Sequence, residues 1–312
     1  MHQQIIVNIT LPVFLLICAG IAPLLVSQYH LSFGLQVFMM LALAQSWNLI
    51  SGMTGYISFG QVVFFGIGAY TAAILLPLGL HWLPVIGVGT LMAILLALPL
   101  GLLTLRLRGP YFAIAMLGLN EVVRIIATLW VDLTNGGSGI SLSPTLLPDL
   151  STNYYSMLIL AAVACGIIWV VHGSRFGLEL RAIREDEAAA EMVGVNTTYA
   201  KFVAFVGSAA IPGAVGTVFT MYNSYINPTS AFAPDLNIQM IVMVMLGGSG
   251  TFWGPILGTV LVMGLREILW ASLPALHMAI LGVILLIIVL FLPNGVLSLT
   301  SPKIRIRFDL TK

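Results

Sequence analysis

The chain has 312 residues, of which 59% are hydrophobic and 7% charged, with mean hydropathy +1.06. Soluble domains carry about 25% charged residues, so this composition excludes an ordinary soluble protein. A net charge of +1 gives no reason to expect nucleic acid as a partner.

Ile5 to Val26 is the first stretch long enough to span a bilayer, at about 20 residues per crossing. No Lys or Arg precedes it and Pro23 sits near any cleavage point, so it reads as a retained helix, not a signal peptide. Leu31 to Ile50 follows. SGMTGYISFGQ, Ser51 to Gln61, is too Gly-rich for a helix interior and too apolar for an exposed loop. Broken backbone at membrane depth persists only where protein or a water-filled cavity covers it. Val62 to Leu78 crosses next, and Leu83 to Leu105 returns to Arg106 and Arg108. Tyr111 to Trp130 carries Glu121 and Arg124, which are spaced to pair on one helix. Val131 to Asn153 is a polar loop without Lys or Arg, and Tyr154 to Val171 is the next span.

Gly173 to Gly194 then holds 8 of the chain's 23 Lys, Arg, Asp and Glu residues. A bilayer centre disfavours each charge by about 2.5–3.5 kcal/mol even on the mild scale, so this stretch lies in water. Its good helix formers predict one helix from Arg181 to Met192, ended by a left-handed Gly194, with Asn196 or Thr197 capping the next. Phe202 to Met221 crosses, Tyr222 to Asp235 is a second loop without Lys or Arg, and Leu236 to Leu246 is short. GGSGTFWGP, Gly247 to Pro255, is a second break. Ile256 to Trp270 and Met278 to Leu292 close the spans, before a basic tail, Lys303 to Arg307.

These readings give one all-α polytopic membrane domain over residues 1–312. It has about ten transmembrane helices, broken or re-entrant segments, a cytoplasmic loop over about 173–200 and a tail over about 300–312. Lys and Arg in the short loops place that loop, the tail and both termini in the cytoplasm, with Arg266 a mild exception towards the outer face.

Catalytic patterns are missing. His2, His30, His81, His172 and His277 are scattered, and no HExxH or GxSxG occurs. Lys201, Lys303 and Lys312 follow Ala200, Pro302 and Thr311, so no P-loop is possible. Cys18 and Cys165 lie in apolar spans and imply no disulfide framework. Any nucleotide energy must come from another chain. Paired interruptions in a membrane chain point to a transport site, and close packing through small residues is the competing reading. For Glu121 the two readings are a polar patch on a solute path and an internal ion pair with Arg124. The charged helix reads either as a docking element or as a solvated connector.

Four stretches together resemble one family. RAIREDEAAAEMVGVNTTYAKFVAFVGSAAIPGAVG (Arg181 to Gly216) resembles the cytoplasmic coupling motif of LivM-type permeases, the membrane subunits of branched-chain amino acid ABC importers. SGMTGYISFGQVVFFGIGAY, RGPYFAIAMLGLNEVVR and LGGSGTFWGPILG resemble the same family in order and spacing, over nearly the whole chain. The resemblance implies a bacterial inner-membrane importer built with a LivH-like second permease, two ABC ATPase subunits and a periplasmic binding protein. It implies no cofactor on this chain, with ATP and Mg bound by the ATPase subunits. Carried over by motif, Arg181, Ala182, Arg184, Glu185, Asp186, Ala188, Ala189 and Gly194 form the coupling element seated in an ATPase groove. Gly52, Gly55, Ser58, Gly60, Gln61 and Glu121 line the translocation path. Pro212 departs from the family's usual small or aliphatic residue and predicts a kink. Urea or short amides are the alternative cargo. An ion-coupled secondary transporter is the alternative mechanism, although it predicts more intramembrane carboxylates or histidines than Glu121 supplies.

Overall fold

The computed structural model describes residues 27–272 and 295–299, with Gly20, Pro23 and Gly282 singly. Numbered from the first described helix, α1 is Gln28–Trp47, continued by a π-helical turn, Asn48–Gly52. Next come α2 (Gln61–Leu75), α3 (Trp82–Thr104), α4 (Pro110–Leu129), the short α5 (Val131–Thr134) and α6 (Leu150–Gly173). Then follow α7 (Arg175–Glu185), α8 (Glu187–Met192), α9 (Thr197–Asn223), α10 (Pro228–Ala231), α11 (Pro234–Gly247) and α12 (Trp253–Ser272).

Seven helical segments among the described residues are long and apolar enough to cross a membrane. They lie at seven of the spans expected between Leu31 and Trp270, and α12 covers the stretch Ile256 to Trp270. Ile5 to Val26, Met278 to Leu292 and the basic tail lie outside the described residues. The short span at Leu236 is lengthened by α10, giving an apolar segment from Pro228 to Gly247.

The centre is α1, α2 and α9, packed around Leu35, Leu43, Phe65, Ala69, Val215 and Val218. Small residues let α2 and α9 touch backbone to backbone, as membrane bundles require where apolar burial gives no preference over lipid. A Cβ on Gly68 would lie 1.8 Å from the Gly213 carbonyl oxygen, and one on Gly216 would lie 2.0 Å from that of Phe65. Gly89, Ala93, Ala97 and Gly101 form a stripe at four-residue spacing that turns α3 towards α9. The outer helices α3, α4 and α6 expose long apolar faces, among them Leu102, Leu103, Ile114, Leu129 and Ile159, suited to lipid or to another apolar chain.

Pro212 lies inside α9, which runs unbroken through it. Proline removes the N–H that would bond the Ser208 carbonyl. The Ser46 hydroxyl of α1 donates to that carbonyl instead, at 2.6 Å.

Two loops read as irregular from sequence contain paired strands. β1 (Ile140–Ser141) pairs antiparallel with β2 (Tyr225–Ile226), Ile140 opposite Ile226 and Ser141 opposite Tyr225. Both loops without Lys or Arg thus lie together at one end of the bundle. The α7–α8 unit, between α6 and α9, lies at the other.

The helix expected from Arg181 to Met192 is two helices. Asp186 is extended (φ −159°, ψ 113°) and its carboxylate accepts from the backbone N–H groups of Ala188 (2.9 Å) and Ala189 (3.0 Å). That cap ends α7 and starts α8, because an Asp side chain competes for backbone donors that a continuous helix would use.

Candidate coupling site and transport path

The α7–α8 unit is held from several directions. Ser174 caps α7 by accepting from Gly177 N–H at 3.1 Å. Leu180, Ile183 and Ala190 are buried in one cluster with Phe64, Phe112 and Phe205. Burying Leu180 and Ile183 stabilises the contact by about 1.5–3 kcal/mol each. Arg181 turns back to α6, donating to the His172 carbonyl (3.1 Å) and the Gly177 carbonyl (3.2 Å). At the far end the Val195 N–H reaches the Ala190 carbonyl and the Gly194 N–H that of Glu191, both at 3.0 Å. This is the Schellman pattern, and Gly194 has the left-handed φ of +90° that it needs. Asn196 then caps α9 through the Tyr199 N–H, at 3.0 Å.

Glu187 starts α8 and pairs with Lys201 of α9, Nζ to Oε1 at 2.6 Å. The Tyr56 hydroxyl also donates to Glu187. Lys201 is buried, donates to the Tyr56 oxygen at 3.1 Å and stands 4.6 Å from the ring centroid. Burial raises the Glu187 carboxyl, but hydrogen bonds from Lys201 and Tyr56 and the charges of Lys201 and Arg108 outweigh it, and the group is held below its ordinary range. Tyr56 is pushed up, first by burial and then by its bond to Glu187.

Arg184 is itself exposed, but its guanidinium reaches across to the breaks. Nη1 donates to the Gly52 carbonyl (2.7 Å) and the Ser249 carbonyl (3.1 Å), and Nη2 to the Ser249 hydroxyl (3.1 Å). The guanidinium therefore bridges the two Gly-rich breaks, which are almost two hundred positions apart along the chain. They also meet directly: a Cβ on Gly52 would lie 2.8 Å from Gly250 N. Asn48 accepts from Gly250 N–H (2.8 Å) and donates to the Thr251 carbonyl (2.9 Å).

The first break is non-helical over residues 55–60. Gly55, at φ +79°, lies beside the Arg184 side chain. Gly60 is pressed against Met116 of α4, where a Cβ would fall 2.0 Å from Cε. Ser58 is buried, its N–H bonded to the Ser51 hydroxyl at 3.0 Å. Gln61 is buried at the start of α2 and donates to Ser208 Oγ at 3.1 Å. Free carbonyls of the irregular segments are met by side chains from the helices. Trp47 donates to Ser58, Gln45 to Phe252, Asn120 to Phe232, and Asn237 to Phe59. These donors answer the backbone groups that a membrane interior leaves without water. Among the described residues, the amide oxygens of Gln45, Gln61 and Asn237 beside the breaks, and of Asn120 beside Phe232, are buried without a partner.

Glu121 is not brought to this cluster. Its carboxylate pairs with Arg124 on the same helix, Nε to Oε2 at 2.9 Å, and its side chain is 47% exposed. The neighbouring Asn120 is the polar residue that faces inward. Sequence reasoning missed Gln45, Asn48, Asn120 and Asn237, whose signal was an amide inside an apolar span. Arg266 lines a cavity of about 250 Å3 towards the opposite end, with Gln36, Met39, Tyr222 and Gln239.

The outward side of α7–α8 carries Glu185, Asp186, Ala188 and Ala189, all exposed, with Ala182 half-buried beside them. Met192 and Val193 are 82% and 79% exposed, an apolar pair at an aqueous end. The family model described as branched-chain amino acid transport system / permease component matches residues 30–289. This chain belongs to that family. It is 29% identical to the high-affinity branched-chain amino acid transport system permease protein LivM of Escherichia coli K12, over 95% of this chain and 76% of that protein. It is 26% identical to LivH of the same strain, over 82% of this chain and 90% of that protein. The autoinducer 2 import system permease protein LsrC of Klebsiella pneumoniae is 29% identical over 60% of this chain and 57% of its own length. No solved structure matches.

Proposed function

We propose that this chain is the LivM-type permease of an ATP-driven importer for branched-chain amino acids. It works with a LivH-like permease, two ATPase subunits and a periplasmic binding protein in the bacterial inner membrane. The single observation that carries this reading is the two-sided α7–α8 unit. Its outer side offers Glu185, Ala188, Ala189, Met192 and Val193 to a partner, while its inner side grips both breaks. Small alanines admit a close approach, and exposed Met and Val give an apolar anchor of the kind that interface cores use. Solute passes beside the buried amides of the first break. The Arg266 cavity stands on the periplasmic side.

The test is uptake in vesicles containing the full importer, with the double variant Met192→Asp, Val193→Asp as comparison. Leucine, isoleucine and valine enter only with ATP and the binding protein, and the double variant loses the ATPase subunits on purification. Uptake of urea or acetamide in place of leucine overturns the cargo. Uptake by this protein alone on an ion gradient overturns the mechanism.

A further inference from the structure

Arg184 sits in the coupling motif and is exposed, yet its guanidinium is bonded to both breaks. The Gly52 carbonyl it meets ends the π-helical turn of α1. The Ser249 carbonyl and hydroxyl lie just beyond the end of α11. The end of α1's π-helical turn and the residue two beyond the end of α11 thus converge on one cation, where the helix dipoles favour positive charge. In this position the guanidinium takes the space of a side chain at residue 250, where a Cβ would lie 2.1 Å from Nη1. Asn48 and the Gly52–Gly250 contact already join the breaks to each other. Arg184 is the group that joins this pair to α7.

We propose that Arg184 is the positioning residue through which a displacement of α7 reaches both breaks at once, so that the ends of α1, α11 and α12 move as one body with α7. This rests on reading α7–α8 as the ATPase contact. A fork of fixed donors suits the role. Its donors are fixed in one plane and meet two carbonyls and a hydroxyl, whereas a lysine ammonium is a point charge on a flexible stem. ATP hydrolysis shifts the path only through contacts that differ between states, and this is the one cationic contact from α7 to both breaks among the described residues.

The experiment uses the full importer in proteoliposomes, with leucine as the transported probe and Arg184→Gln and Arg184→Lys as variants. In Arg184→Gln the ATPase subunits co-purify, ATP hydrolysis remains stimulated by the binding protein, and leucine taken up per ATP falls about ten-fold or more, the size of an ordinary inter-site coupling. Arg184→Lys recovers part of that loss. Unchanged leucine per ATP in Arg184→Gln overturns the proposal. Loss of the ATPase subunits in that variant also overturns it, by making Arg184 a docking residue. If Arg184→Gln does not accumulate, Arg184→Lys is read alone, and full coupling there overturns it. Failure of both to accumulate makes Arg184 a folding residue and likewise overturns the proposal. A failure of the underlying reading is separately visible, because the Met192→Asp, Val193→Asp importer would then keep its ATPase subunits.

Discussion

At the residue scale, Glu187 is the carboxylate that a charge count alone misassigns. As one of eight charged residues in its stretch it reads as one more solvated group, but it closes on buried Lys201 and on Tyr56. Its carboxyl is held below the ordinary range, so its unfolded value, about 4.3, lies above its folded one. A carboxylate depressed in this way stabilises the folded state above the unfolded pKa and loses that contribution as pH falls through the folded value. Glu187→Gln is expected to destabilise the purified permease by about 1–3 kcal/mol at neutral pH. That is less than the 3–5 of a fully buried pair, because one side of Glu187 is open to solvent. The gap in melting temperature between wild type and variant should stay level down to about pH 5.5 and narrow as pH falls below the ordinary carboxylate value of about 4.3. A gap that persists unchanged at pH 3.5 would show that the ion pair is not its source.

At the element scale, α9 is a 27-residue helix that contains a proline and stays continuous. The reason lies on another helix, since Ser46 of α1 donates to the carbonyl that Pro212 leaves free. This makes a double-mutant cycle informative. Ser46→Ala leaves a buried carbonyl without a partner and should cost about 1–3 kcal/mol. In a Pro212→Ala background the backbone N–H returns, and the same serine change should cost less than about 1 kcal/mol. Chemical or thermal unfolding of the four proteins in detergent measures the coupling, and equal costs in both backgrounds would refute the account. Asp186 teaches the converse lesson. Arg, Glu and Ala favour helix along the whole segment, yet one short carboxylate with two backbone donors in reach divides it.

At the scale of the whole molecule, the pairing of β1 with β2 draws the two loops without Lys or Arg to one end, and α7–α8 marks the other. The Lys and Arg asymmetry then predicts which end faces which compartment. In intact inverted and right-side-out vesicles, a cysteine at exposed Ser138 is expected to react with an impermeant thiol reagent from the periplasmic side. One at exposed Arg175 is expected to react from the cytoplasmic side. The opposite pattern would invert the importer and remove the ATPase contact proposed for α7–α8.

Hydropathy, the glycine-rich breaks and the charged loop were enough to give the helical membrane class, the position of each described span and the family resemblance. Each of these depends on residues near one another in the chain. The left-handed Gly194 and the Asn196 cap were legible for the same reason: they are local backbone requirements. Partners remote in sequence were not legible. Nothing along the chain says that Gly52 touches Gly250, that Arg184 reaches both breaks, or that half-exposed Glu121 pairs with Arg124 and not with a residue of the breaks. In a bundle where nearly every residue is apolar, sequence periodicity does not separate core from lipid face. Which polar group meets which free carbonyl is decided only when the helices pack, because a buried amide or guanidinium must find its partner in three dimensions.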